Sequence, residues 1–275
     1  MRLVSYRSER GDRAGIVGDG GIVDCWDALS DEGTSVRELL ACGRLADLGG
    51  IEGPAQADVE LLPPVPDPEK IVCIGLNYRA HAAEAGIEPP QSPTLFGKYR
   101  NALAPDGATV RLPAASRKVD FEAEVAFVIG RRAKEVDEAD ALDHVAGYTL
   151  LNDLSARDLQ FATPQWMAGK VFDGSAPCGP ALVTADEAGP DDAIEFALTL
   201  NGKRMQESAT SDLIFGVPAL VVHLSALMTL EPGDIVSTGT PSGVGSTREP
   251  RIWLAPGDEI VISSPQLGEL RTTIG

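Results

Sequence analysis

The sequence predicts a mixed α/β fold rich in β-structure: a roll or distorted barrel with helices packed outside, plus a small N-terminal domain. Three observations point there. The 275 residues include 29 Gly and 20 Pro but only 5% aromatics, a composition of short strands and tight turns. Apolar runs of strand length outnumber helical ones, and few alternate strand–helix–strand, which argues against a Rossmann sheet. Pro63, Pro64, Pro66 and Pro68 form a cluster that can be neither helix nor central strand. The expected division is a small α+β domain at 1–65 and the main domain at 66–275.

Residues 1–24 read as three short strands, RLVSY, AGIVG and GIVDC, separated by Gly and Asp turns. SVRELLACG reads as a helix capped by Thr34 or Ser35 and stopped at Gly43. The main domain opens with a buried strand at 70–75 and a short helix over 77–85 that Asn77 can cap. Strands are expected at 94–97, 109–112, 119–129, 145–151, 181–184 and 194–200. A long apolar helix spans 217–228, and strands at 234–238, 259–263 and 269–274 follow it.

With 23 Lys and Arg against 41 Asp and Glu, the formal charge is −18. Such a surface repels nucleic acid and anionic membranes, so neither is an expected partner. An anionic substrate would need positive charge concentrated locally, which a bound cation supplies. The four cysteines, 25, 42, 73 and 178, form no C-x-x-C pair, and Cys73 lies in the apolar run IVCIG. Reduced thiols and a cytoplasmic setting are expected. The first residues show no apolar signal-peptide core, and no stretch reaches the ~20 apolar residues of a membrane span.

The chemistry-bearing residues cluster in a few stretches. V119-D-F-E-A-E-V-A-F-V-I-G130 alternates Phe121, Ala123, Val125, Phe127 and Ile129 on one face with Glu122, Glu124, Ala126 and Val128 on the other. Both faces look buried, and two adjacent glutamates there repel unless a cation neutralises them. Asp153 ends a second apolar run, VAGYTLLND. Three carboxylates without Cys make a hard oxygen site for Mg²⁺, with Mn²⁺ or Ca²⁺ as alternatives. Pairing of the glutamates with Arg117, Lys118, Arg131 or Arg132 is the competing explanation.

In N77-Y-R-A-H-A-A-E84, His81 and Glu84 stand three residues apart on one helical face. That is the arrangement of a carboxylate-oriented general base, or of a simple surface pair. Lys170 lies among small and apolar residues in MAGKVFD, where a partly buried ammonium could stabilise an enolate or merely pack its stem. Arg157 and Gln160 follow Asp153 closely and could turn towards the same place, or pair with Asp158 or Asp153. STGTPSGVG, 237–245, offers hydroxyls and backbone N–H groups but is neither a Walker loop nor G-x-G-x-x-G.

Taken together, KIVCIGLNYRAHAAE, SPTLFGKYRNAL, VDFEAEVAFVIG, VAGYTLLNDLSARDLQ, QWMAGKVFDGSAPCGPALV, TLNGKRMQESATSDLIF and LEPGDIVSTGTPSGVG resemble the fumarylacetoacetate hydrolase family. They cover about residues 70–245 in the family's order. The resemblance implies a homodimer of β-roll subunits with a Mg²⁺ or Mn²⁺ site. By motif, Glu122, Glu124 and Asp153 match its metal ligands, and His81 with Glu84 its water-activating pair. Lys170 matches its enolate-stabilising lysine. Tyr78, Arg157, Gln160 and Thr240 match positions that contact substrate or surround the metal.

The implied substrate is a small 2-oxo or β-diketo acid. Hydrolysis of a C–C bond in an acylpyruvate is the first expectation, because the His81–Glu84 pair is intact. Isomerisation of a 2-hydroxy-diene-dioate or decarboxylation of oxaloacetate would use the same enolate. A non-catalytic binding protein stabilised by metal is the alternative from another class.

Overall fold

The computed structural model describes residues 1–51, 53, 55–56, 59–86 and 88–275. Three strands open the chain: β1 (Arg2–Ser8), β2 (Gly11–Gly18) and β3 (Gly21–Asp24). The Asp24 carboxylate accepts the N–H groups of Trp26 and Asp27 and so starts α1 (Cys25–Ala28). Ser35 caps α2 (Val36–Ala41) by accepting the Glu38 N–H, one of the two caps read from the sequence. β4 (Ala55–Gln56) and β5 (Glu60–Leu62) follow. β5 pairs with β1 and reaches Leu62, so the proline run ends an edge strand instead of lying wholly outside one.

The remaining strands and α-helices begin with β6 (Ile71–Gly75), α3 (Arg79–Ala85), β7 (Thr94–Lys98), β8 (Leu103–Ala104), β9 (Ala108–Val110), β10 (Val119–Asp120) and β11 (Ala123–Ile129). Next come β12 (Val145–Asn152), β13 (Ser155–Ala156), α4 (Arg157–Gln160), β14 (Ala176–Thr184), α5 (Ala185–Ala188) and β15 (Glu195–Leu200). The chain then forms β16 (Lys203–Ala209), α6 (Val217–Leu227), β17 (Ile235–Ser237), β18 (Glu259–Ser264) and β19 (Gly268–Ile274). A twelve-stranded sheet has the main path β4-β3-β2-β1-β14-β12-β11-β17-β6-β7. A five-stranded sheet runs β16-β15-β18-β19-β9, and β10 pairs with β13. Most pairings are antiparallel, as the scarcity of strand–helix–strand units predicts. No helix among the described residues is long and apolar enough to cross a membrane.

The alternation along β11 fills two cores. Phe121, Ala123, Val125, Phe127 and Ile129 join α6 and the five-stranded sheet in one cluster. Ala126 and Val128 join α1, α2, β6 and β14 in another. α6 buries Val217, Leu220, Val221, Leu224 and Ser225, a 3.6-residue stripe, and Pro218 stands in its first turn. β1 pairs with β14 through Arg2–Val183 and Leu3–Leu182, so the N-terminal strands extend the large sheet.

Three local expectations are corrected. The single strand at 119–129 is two: Val119 and Asp120 pair with β13, and the chain crosses between sheets at Phe121–Glu122. Asn77 does not cap α3; Tyr78 holds that position without a side-chain cap. Asn77 instead donates to the Phe215 and Thr238 carbonyls and accepts the Phe215 N–H, tying three loops together. β16 was not expected, because KRMQESA is polar; it forms a hairpin with β15 around Asn201–Gly202, both with positive φ.

Candidate active site

The crossing between sheets places the acids. Glu122 sits in the link, where its N–H donates to the Asn152 side chain at 3.1 Å and its carbonyl accepts the Asp153 N–H at 2.9 Å. Glu124 lies in β11, one pleat on. Oxygens of Glu122, Glu124 and Asp153 come within 4.8 Å of one another, and all three residues are buried. The pairing with Arg117, Lys118, Arg131 or Arg132 does not occur among the described residues.

Cations from elsewhere hold the cluster. Lys170 Nζ lies 2.6 Å from Glu122 Oε2 and 2.7 Å from Asp153 Oδ2, and 4.8 Å from the centre of the Phe96 ring. Arg157 donates to Asp120 Oδ2 from Nε at 3.0 Å, and its Nη2 is 2.7 Å from Glu122 Oε1. Its Nη1 donates to Gln160 Oε1 at 3.0 Å. These contacts divide the acids electrostatically. Burial pushes the Glu122 carboxyl up, but Arg157 and Lys170 pull it further down, well below the usual carboxylate range. Burial, then Asp153 and Glu122, push Glu124 well above that range, against the Ser237 hydroxyl that donates to it.

Lys98 is a partner the sequence reading missed. Its ammonium is fully buried and 2.9 Å from Asp153 Oδ1. Its hydrogen bonds go instead to the Lys170 carbonyl, the Ser175 carbonyl at 2.9 Å and Ser175 Oγ at 3.0 Å. An ammonium has three donors, so Asp153 Oδ1 receives charge but no directed hydrogen bond. Glu124 Oε1 likewise accepts none among the described residues. Two carboxylate oxygens that accept no hydrogen bond, in a hard-donor cluster, fit a divalent cation. The signal for Lys98 was its i, i+2 spacing from Phe96 on β7, which puts both on one face.

The loop after β17 closes the site. Gly239, at φ +99, donates its N–H to Glu124 Oε2 at 3.0 Å, and a Cβ there would stand 2.9 Å from the Ile74 carbonyl. Gly243, also at φ +99, donates to Glu84 Oε1 and Oε2 at 3.1 and 3.2 Å. Glu84 Oε2 in turn faces His81 Nδ1 at 3.2 Å. Gly245 and Ser246 donate to the buried Asp120, which also holds Arg157. The loop's backbone N–H groups reach carboxylates, the kind of acceptor its sequence suits, but Asp120 escaped the sequence reading, since the loop residues it accepts from, Gly245 and Ser246, lie more than a hundred residues away.

A cavity of about 730 Å³ opens over the acids. His81, Glu122, Glu124, Arg157, Gln160, Lys170 and Thr240 line it. Asp153 lies behind this lining, and Glu84 lies behind His81. Thr240 Oγ1 donates to the Ala123 carbonyl and accepts from Gln206, both at 2.9 Å. Tyr78 departs from expectation. Its side chain is fully buried outside the lining, edge-on to Phe196 with centroids 6.0 Å apart. As the residue before α3 it follows the extended backbone into the core.

Comparison with known proteins places this geometry. Residues 70–275 match the family described as fumarylacetoacetate (FAA) hydrolase C-terminal. The mitochondrial oxaloacetate tautomerase fahd2 of Xenopus laevis is 40% identical over 222 residues, 80% of this chain and 70% of that protein. The 5-carboxymethyl-2-hydroxymuconate delta-isomerase of Mycobacterium smegmatis superposes with a TM-score of 0.80 at 34% identity, covering 100% of this chain and 98% of that one. The maleylpyruvate hydrolase of Sphingobium sp. SYK-6 gives a TM-score of 0.81 at 32% identity, covering 100% and 99%.

Proposed function

The chain belongs to the fumarylacetoacetate hydrolase family, and from that premise we propose that it is a divalent-metal-dependent enzyme acting on a small 2-oxo acid through its enolate. Keto–enol tautomerisation or isomerisation of a 2-oxo dicarboxylate is the first reading. The observation that carries it is a three-carboxylate floor beneath a cavity whose wall holds the carboxylate-oriented His81. The tautomerase and isomerase names among its relatives support the choice.

Glu122, Glu124 and Asp153 would hold the ion, with Mg²⁺ or Mn²⁺ favoured by the all-oxygen donor set. When bound, it supplies Lewis-acid polarisation of the 2-oxo group. The protein's own groups do the rest. Glu84 faces His81 Nδ1, which leaves Nε2 to move a proton at carbon 3 of the substrate. Lys170 adds positive charge at the cavity floor, where the enolate oxygen develops. Arg157 only donates, so it fixes the Gln160 amide with Oε1 inward and leaves Nε2 for the substrate carboxylate. All three guanidinium nitrogens of Arg157 already have partners, so we assign it to positioning Glu122 and Gln160. Thr240, engaged on both sides, shapes the wall.

Hydrolysis of a C–C bond in an acylpyruvate is the second reading. The Gly243–Glu84–His81 chain favours it, because water attack needs a base of fixed tautomer, and one structural relative is a hydrolase. A single assay panel with Mg²⁺ separates the two: loss of enol absorbance with oxaloacetate, and carboxylic acid release from an acylpyruvate. Turnover of neither substrate sinks the proposal. A homodimer in the cytoplasm, with residues 1–65 as a small N-terminal unit, completes it. The family match beginning at residue 70 supports that division.

A further inference from the structure

We propose that Lys118 and Arg251 form a distal anion subsite at the cavity mouth that receives a second carboxylate of the substrate, an inference that rests on the 2-oxo acid reading above. Four cationic side chains line the cavity. Lys170 and Arg157 are committed to the acids of the floor. Lys118 and Arg251 have no ion pair or side-chain hydrogen bond among the described residues, in a chain with 41 acids to offer. Asp158, the other acid in the lining, accepts from the Ser116 hydroxyl and the Arg117 N–H instead.

The backbone brings the two cations to one rim. Lys118 immediately precedes β10, and the Val119 carbonyl accepts the Leu254 N–H at 2.9 Å. Ile252 donates to the Gly245 carbonyl at 3.0 Å, and Gly245 donates to Asp120 at 2.7 Å. Residues 118–120 and 245–254 are therefore laced together as one wall. Trp253 and Phe161 add apolar surface to the same cavity. A cavity of about 730 Å³ lies in the range that houses drug-sized ligands, so a carbon chain can run from the floor to this rim. Two exposed cations facing that path concentrate positive charge locally on a protein of net charge −18, and so select a diacid over a monoacid by contact.

The test uses the full chain loaded with Mg²⁺ and three probes measured by calorimetry. Oxalate occupies the floor alone. 2-Oxohexanoate and 2-oxoadipate share a six-carbon chain and differ in the distal carboxylate. We expect 2-oxoadipate to bind about tenfold or more tighter than 2-oxohexanoate, as a charge-assisted contact gives. In the double variant Lys118→Gln with Arg251→Gln that preference falls to about twofold or less, while oxalate affinity stays within about twofold and shows that the floor is folded. Loss of the preference should track rising salt in the parent protein. Equal binding of the two six-carbon acids with oxalate intact, or a preference that survives in the double variant, overturns the subsite alone. Failure of oxalate to bind with Mg²⁺ overturns the underlying 2-oxo acid reading and the subsite with it.

Discussion

Gly243 donates its backbone N–H to both carboxylate oxygens of Glu84, across 159 residues of sequence. The turn that follows β17 thereby aims the carboxylate that orients His81. Glu84→Gln keeps an acceptor for Gly243 but removes the charge beside the imidazole. We expect turnover to fall about ten- to a hundredfold, as for other orienting groups. His81→Ala should fall further, by about 10²–10⁴-fold. Steady-state kinetics on oxaloacetate, with Mg²⁺ affinity measured alongside, checks both; a full rate in His81→Ala removes it as the base.

Chelation should abolish activity. With Mg²⁺ at a hundred times its dissociation constant, the folded state gains about 2.7 kcal/mol, read as a rise in Tm. Glu124→Gln should lose that rise. Metal-free, the same variant should melt no lower than the parent, because it relieves repulsion between buried acids while Ser237 keeps an acceptor. A Mg²⁺-induced shift undiminished in Glu124→Gln would place the ion elsewhere.

Lys98 contributes to stability through charge. Lys98→Met keeps the length of the side chain but leaves the Lys170 carbonyl, Ser175 and Asp153 without their buried ammonium. Removing one member of a buried ionic group costs about 3–5 kcal/mol. Urea unfolding followed by tryptophan fluorescence measures it, and a loss under about 1 kcal/mol would contradict the assignment.

Acid should loosen the N-terminal strands first. Burial pushes the Asp24 carboxyl up, but hydrogen bonds from Arg13, Tyr6 and the Asp27 N–H bring it down from 3.8 to about 2. A depressed carboxyl stabilises the fold above its unfolded value and loses that contribution as protons bind. The contribution, roughly 2 kcal/mol, is complete above about pH 4 and gone below about pH 2. Asp24→Asn should flatten the pH dependence of unfolding in that window; an unchanged slope would show the network to be neutral.

Periodicity made most of the β-structure legible. The alternation from Phe121 to Ile129 assigned each apolar side chain to one of two cores. What periodicity could not show was the break at Glu122, because the cause, pairing of Asp120 with Ser155, lies outside the segment. β16 escaped on composition, although Asn201–Gly202 is a hairpin signal in its own right. The same limit governed the site. His81 and Glu84 are neighbours on a helix and could be paired from spacing alone. Lys98, Asp120 and Gly243 act on groups brought near only by the fold. Tyr78 matched by motif, yet its ring turned to Phe196.

β17 lies between β11 and β6 in the large sheet, although both of those strands precede it by more than a hundred residues. During synthesis β6 and β11 must wait with open edges until residue 237 has left the ribosome. Through that interval the nascent chain carries a gap in its sheet that any stray strand can fill. The strand that finally fills it brings Ser237, Gly239 and Gly243 to the acids and to Glu84. A ribosome stalled shortly before that strand would therefore hold a chain that is both sticky and inert. Closure of the sheet and completion of the acid cluster become a single late event.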